Sequence, residues 1–224
     1  MLPLLVLADA NILVKDVVSF VFFDLAKAGA LDLRWTPQIE VEYARHRARL
    51  RAQANQREMI FEDLVWAQKR LVPIKKHLVR CFALPGWGDD GDRLDQLYSD
   101  KAFAPLLQLP DPDDVHVALA AADWARVSGG DVVLVTDNLK DLPAKVLEPF
   151  GVVPLHPGDV LQLVYRMDSE RVSKSLQKTA ADFKNPAFSL ADMLASIGSV
   201  QQFDNQELAT ELAERWGLQL PPGQ

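Results

Sequence analysis

Cysteine is nearly absent from this 224-residue chain: Cys81 is the single one. No disulfide can close within the chain, which fits a reducing cytoplasm. Cys81 sits in the apolar stretch Leu78-Val79-Arg80-Cys81-Phe82, where a structural role is expected before a nucleophilic one. Long hydrophobic runs are lacking as well. None approaches the roughly 20 residues needed to cross a bilayer, so no membrane partner is expected. The apolar start has no positive leading region and is interrupted by Asp9, which argues against a signal peptide. There is no basic excess either. The net charge is −7 and the pI about 5.1, so any surface for a polyanion must be local. Internal repeats and low-complexity segments are missing.

What remains is a chain that is 49% hydrophobic and 25% charged, enough for one substantial core with a small appendage. Leu4-Leu5-Val6-Leu7 and Val132-Val133-Leu134-Val135 read as buried parallel strands, and Leu31 to Trp35 as a further strand. Helical spacing over 16–29 ends at Gly29. Thr36-Pro37 has the form of an N-cap followed by a first-turn proline. A helix is expected over 53–72, with Ile60, Leu64, Trp66 and Leu71 toward the core, and another over 113–127, stopped by Gly129-Gly130. Pro85 to Asp100 is expected to be a loop. Asp89, Asp90, Asp92 and Asp95 there lack the spacing of a twelve-residue calcium loop. Alternating strands and helices argue for a parallel sheet with helices on both faces. Beyond about residue 157 the pattern is purely helical, over 158–167, 169–183, 189–197 and 205–216, with a frayed tail at 221–224.

Four acidic clusters stand out: Asp9-Ala-Asn11, Glu40-Val-Glu42, Asp111-Pro-Asp-Asp114 and Thr136-Asp137-Asn138. Two follow strands directly, and ligands of open parallel sheets bind outside the carboxyl ends of strands. Carboxylates gathered there repel one another unless a cation lies between them, and hard divalent cations take oxygen ligands of this kind. Asp and Asn after a strand also serve simply as turn formers. Glu40 and Glu42 diverge by about 200° around a helix, so they cannot face one site. Glu42 shares a face with Ile39 and is the one expected to need a partner, with Glu40 in solvent. One aspartate of Asp111–Asp114 is expected to cap the next helix, and the helix dipole accounts for a second. His116 is expected to be structural or solvated. Arg45, Arg47, Arg49, Arg51 and Arg57 follow Glu42; Arg45 and Arg49 share one face, Arg47 and Arg51 another. They suit phosphate contacts, or a solvated face paired with Glu58 or Glu62. Lys69-Arg70 and Lys75-Lys76 read as plain surface.

In order and context these motifs resemble the PIN-domain nucleases: a strand into Asp9-Ala-Asn11, a Thr36-Pro helix start leading to Glu42, Asp111-Pro-Asp-Asp114 opening an Ala-rich helix, and a strand into Thr136-x-Asn138. The run Val135 to Pro143, with Gly151-Val152 and His156-Pro157, is similar to the branch that includes bacterial VapC-type toxins. The likeness covers about residues 4–160. It implies an α/β, PIN-like (Rossmann-like) domain over 1–157 and a helical C-terminal extension over 158–220. It further implies a cytoplasmic, metal-dependent endoribonuclease that leaves 5′-phosphate ends. Mg²⁺ or Mn²⁺ would be held by Asp9, Glu42 and Asp114. The fourth acidic position often carries Asp in that family and is Asn138 here, so Asp137 or Asp141 could take that role. Asn11, Thr136, Asp111 and Asp141 would support these groups from behind, and Arg45, Arg47, Arg49 and Arg51 would bind RNA. The branch also implies an antitoxin protein laid over the site, and a homodimer. Asn138 motivates a different class: a catalytically impaired PIN-like scaffold that binds RNA or protein. A receiver-type phosphoacceptor domain fits less well, because only Asp9 ends the first strand. An Asp-x-Asp phosphatase is opposed by Asn11 in place of the second acid.

Overall fold

The computed structural model describes residues 2–77, 83–87, 92–184 and 186–219. Its centre is a four-stranded, all-parallel sheet in the order β2-β1-β3-β4. The strands are β1 (Leu4–Ala8), β2 (Leu31–Arg34), β3 (Val132–Val135) and β4 (Val152–Leu155). β3 is buried at all four residues, so elements cover both of its faces; this is why it reads as a continuous apolar run. The two edge strands alternate buried and half-buried residues, as strands with one wetter face do. Pro154 sits in edge strand β4, where a missing N–H is tolerated.

The chain leaves β1 toward β2 on one side and returns later to place β3 on the other. The strand order therefore reverses between β1 and β3, and their carboxyl ends, Asp9 and Thr136, flank the crevice this reversal opens. Between β1 and β2 run α1 (Ala10–Val14) and α2 (Asp16–Lys27). Between β2 and β3 come the antiparallel pair α3 (Pro37–Ala54) and α4 (Phe61–His77), then α5 (Asp92–Ser99), two 3₁₀ segments and α6 (Val115–Ser128). Thr36 caps α3 by accepting from Ile39 N, as its sequence context predicts. Short α7 (Ala144–Leu147) leads to β4.

The C-terminal helices α8 (Pro157–Met167), α9 (Ser169–Asp182), α10 (Leu190–Gly198) and α11 (Gln206–Trp216) match the expected helical segments closely. They share the sheet's core: Val160, Leu161, Leu176, Met193 and Leu212 belong to the same buried cluster as β1 and β3. Lys178 and Thr179 of α9 reach the buried carboxylate of Asp24 on α2, at 2.9 and 2.8 Å. Gly158 lies so close to the Phe203 backbone that a Cβ there would fall 1.8 Å from its carbonyl oxygen.

The loop expected over Pro85–Asp100 is in part a helix. Residues 92–99 form α5, whose Arg93 forks onto the buried carboxylate of Asp123 on α6. That long-range ion pair is invisible in a local window rich in Asp and Gly. Ile60, expected in the core, is 47% exposed, and the helix starts only at Phe61. Asp63 fixes this start by accepting from Ile60 N and from Arg57; Leu71 is buried as expected, together with Ala67. The expectations for Cys81, for Asp89 and Asp90, and for the tail at 221–224 lie outside the described residues.

Candidate functional site

Asp9 follows β1 and caps α1, which points its carboxylate into the crevice mouth with only 5% of the residue exposed. It accepts from the Ala10 amide, from Asn11 Nδ2 at 2.8 Å and from Thr136 Oγ1 at 2.7 Å. Burial raises its pKa above the ordinary carboxylate value. The bonds from Thr136 and Ala10 oppose that rise, and the Glu42 charge adds to it.

Thr136, fully buried past β3, links three parts of the site. Its hydroxyl donates to Asp9 and accepts from Asn138 N at 2.9 Å and Asn11 Nδ2 at 3.3 Å, which uses its one proton and both lone pairs. Asn138 then donates its amide to Asp114 Oδ2 at 2.7 Å. The residue between them turns away. Asp137 lies in the bend after β3 and pairs with Lys15 at 2.6 Å and His156 at 3.2 Å. Burial pushes the Asp137 carboxyl up, but the bonds from His156 and Lys15 outweigh it and hold the group low. The structure therefore turns Asp137 away from the other acids, and the alternative for the fourth position, Asp141, is the one that comes close to Asp114.

Asp111 caps the 3₁₀ turn Pro112–Asp114 by accepting from Asp113 N at 2.9 Å. This accounts for one acid of the cluster, as expected. Asp114 caps nothing and faces the crevice at the start of α6. Oxygens of Asp111, Asp114 and Asp141 lie within 4.8 Å of one another. Burial and the surrounding charges of Asp9, Asp111, Asp141 and Glu42 push the Asp114 carboxyl up to about 7.

Glu42 projects from α3 into the same pocket of about 290 Å³, which it lines with Asp9, Asn11, Asp114 and Asn138. His116 is buried rather than solvated, and its Nε2 lies 2.8 Å from Oε1 of Glu42, a candidate ligand. The contact spans 74 residues of sequence and joins a side chain of α3 to one at the start of α6. Glu40, expected in solvent, points the other way but is not free. It accepts from Trp35 Nε1 at 3.0 Å and pairs with Lys75 at 2.9 Å, because α4 folds back along α3.

The arginine run divides by helix face. Arg45 and Arg49 line the acidic pocket. Arg47 instead donates to Val14 O at 2.9 Å and pairs with Asp16 at 3.0 Å. Arg51 lies over the Trp66 ring at 4.8 Å and 3.5 Å from Asp63. Arg57 forks onto Asp63 rather than onto the carboxylates of Glu58 or Glu62, and holds the Asp63 carboxyl down at about 2. Of the four expected RNA contacts, the fold brings two to the pocket and commits two to packing α3 against its neighbours.

No family model matches the chain, and searches of curated proteins and of solved structures return no match.

Proposed function

We propose that this protein is a metal-dependent endoribonuclease of the PIN type, acting as the toxin of a toxin-antitoxin pair. The observation that carries the reading is the meeting of Asp9, Glu42 and Asp114 in one pocket at the point where the strand order reverses. They come from three elements far apart in sequence, and the motifs supplying them stand in the order the PIN resemblance implies. The donor set fits Mg²⁺ or Mn²⁺: it is all oxygen, and burial, with the charges of Asp9, Asp111, Asp141 and Glu42 around it, pushes Asp114 up to about 7. Buried Asn11 Oδ1, with no partner among the described residues, is a further hard oxygen beside the acids.

In this reading Asp9, Glu42 and Asp114 hold the ion, and Thr136 and Asn138 fix Asp9 and Asp114 in place. A bound divalent ion supplies hydroxide from water at neutral pH and offsets charge on the phosphoryl oxygens. Arg45 and Arg49, on the pocket rim, bind backbone phosphates and draw RNA to an otherwise acidic molecule. An antitoxin would cover this mouth, with an arginine among the acids, and the toxin branch also implies a homodimer. No helix among the described residues is long and apolar enough to cross a membrane, which is compatible with a cytoplasmic site of action.

A second reading has its own observation. Asn138 gives Asp114 a hydrogen bond where another acid would give charge, which favours an impaired scaffold that binds RNA or protein without cutting. Purified protein incubated with RNA and Mn²⁺, beside an EDTA control and Asp114→Asn, separates the two. Metal-dependent cleavage lost in the variant supports the nuclease. Mn²⁺ binding by calorimetry with no cleavage supports the scaffold.

A further inference from the structure

We infer that His116 is a positioning residue that orients Glu42 for the cation; this rests on the metal-dependent reading above. His116 occupies the first turn of α6, two residues after Asp114, and is 5% exposed. Its Nε2 meets Glu42 Oε1 at 2.8 Å, and its Nδ1 is buried without a partner among the described residues. Burying an imidazole costs free energy that a leucine in the same space avoids. The single hydrogen bond found for this ring goes to an acid of the pocket, so packing alone does not explain a histidine here.

The need is specific to Glu42. Asp9 is held by Thr136 and Asn11, and Asp114 by Asn138. Glu42 has the longest of the three side chains, and His116 is its one hydrogen-bond partner among the described residues. With Oε1 fixed by the ring, Oε2 is left to the pocket. Groups that hold a metal ligand from behind characteristically change metal affinity about 10–100-fold when removed. Because Asp114 immediately precedes α6 and His116 lies in its first turn, one helix start supplies one acid and sets the direction of another, which comes from α3.

The test is calorimetric titration of Mn²⁺ into native protein, His116→Leu, His116→Asn and His116→Gln, with far-UV circular dichroism to verify folding. Gln places an N–H near the position of Nε2; Asn is too short to do so. The expected result is Mn²⁺ affinity weakened about tenfold or more in the Leu and Asn variants and recovered to within about threefold in Gln. In a Glu42→Gln background, the further loss on adding His116→Leu should vanish. Native-like affinity in the Leu or Asn variant overturns the assignment, as does equal loss in Gln and Asn, or an undiminished loss in the Glu42→Gln background. Native protein that binds no Mn²⁺ overturns the metal-dependent reading itself, and this assignment with it.

Discussion

Asp114 carries the clearest electrostatic conflict in the molecule. Its carboxyl is held up at about 7 by burial and by four neighbouring acids, against an ordinary value of 3.8. Between roughly pH 4 and 7 the folded chain keeps a proton that the unfolded chain releases, so stability falls as pH rises through this window. Metal-free Asp114→Asn should therefore melt higher than native protein at pH 8, by about 1–2 kcal/mol once solvent screening of this half-buried group is allowed for. The difference should shrink to nothing near pH 3.5. Thermal melts in EDTA at the two pH values read this directly. Saturating Mn²⁺ should reverse the order at pH 8, because an ion that binds only the folded native protein stabilises it by mass action. Thr136 gives a second prediction at this scale. Thr136→Val removes a buried hydroxyl with three partners and leaves half-buried Asn138 N without its acceptor. A loss of about 1–3 kcal/mol in urea unfolding is expected, larger than for a surface threonine.

At the scale of elements, α3 has two jobs on two faces. Arg45→Gln with Arg49→Gln should raise KM for RNA several-fold, flatten the salt dependence of binding and leave the melting temperature near native. Arg47→Gln with Arg51→Gln should do the opposite, lowering stability by loosening contacts with Val14, Asp16 and Trp66 while the pocket rim stays intact. Equal effects on KM from both pairs would contradict the division. The spacing of these arginines told which pairs share a face, and Arg45 and Arg49, three and seven residues after Glu42, fall on the face of that acid; what Arg47 and Arg51 meet depends on how α3 lies against α1 and α4. The same limit explains the other gaps. β1, β3, the cap at Thr36 and the use of one aspartate of 111–114 as a cap were legible because their signals are local, though not that the cap is Asp111. α5 was missed because Arg93 is anchored on Asp123, 30 residues away. Asp9, Glu42 and Asp114 could be singled out as acids at element ends, whereas the bond from His116 to Glu42 had no local trace.

For the whole molecule, the helical segment after residue 157 was recognisable from its periodicity, yet its integration into the core was not. Phe22 of α2 meets Phe203, Asp24 meets Lys178 and Thr179, and the backbone at Gly158 abuts Phe203. Residues 1–157 expressed alone should lack a cooperative melt and be digested quickly by protease, because that cut uncovers the buried face of α2. A sharp thermal transition for this fragment would show the sheet domain to be independent. Gly158→Ala should cost about 3 kcal/mol through overpacking against the Phe203 carbonyl, measured by denaturant midpoint.

The central claim is that three carboxylates at the strand reversal hold an ion that cuts RNA. The most direct test is incubation of a labelled single-stranded RNA of mixed sequence with native protein and Asp9→Asn, each with Mn²⁺ and with EDTA, followed by analysis of the product ends. The account predicts 5′-phosphate fragments from native protein with Mn²⁺ alone. Fragments that persist in EDTA, or that Asp9→Asn produces at the native rate, would contradict it.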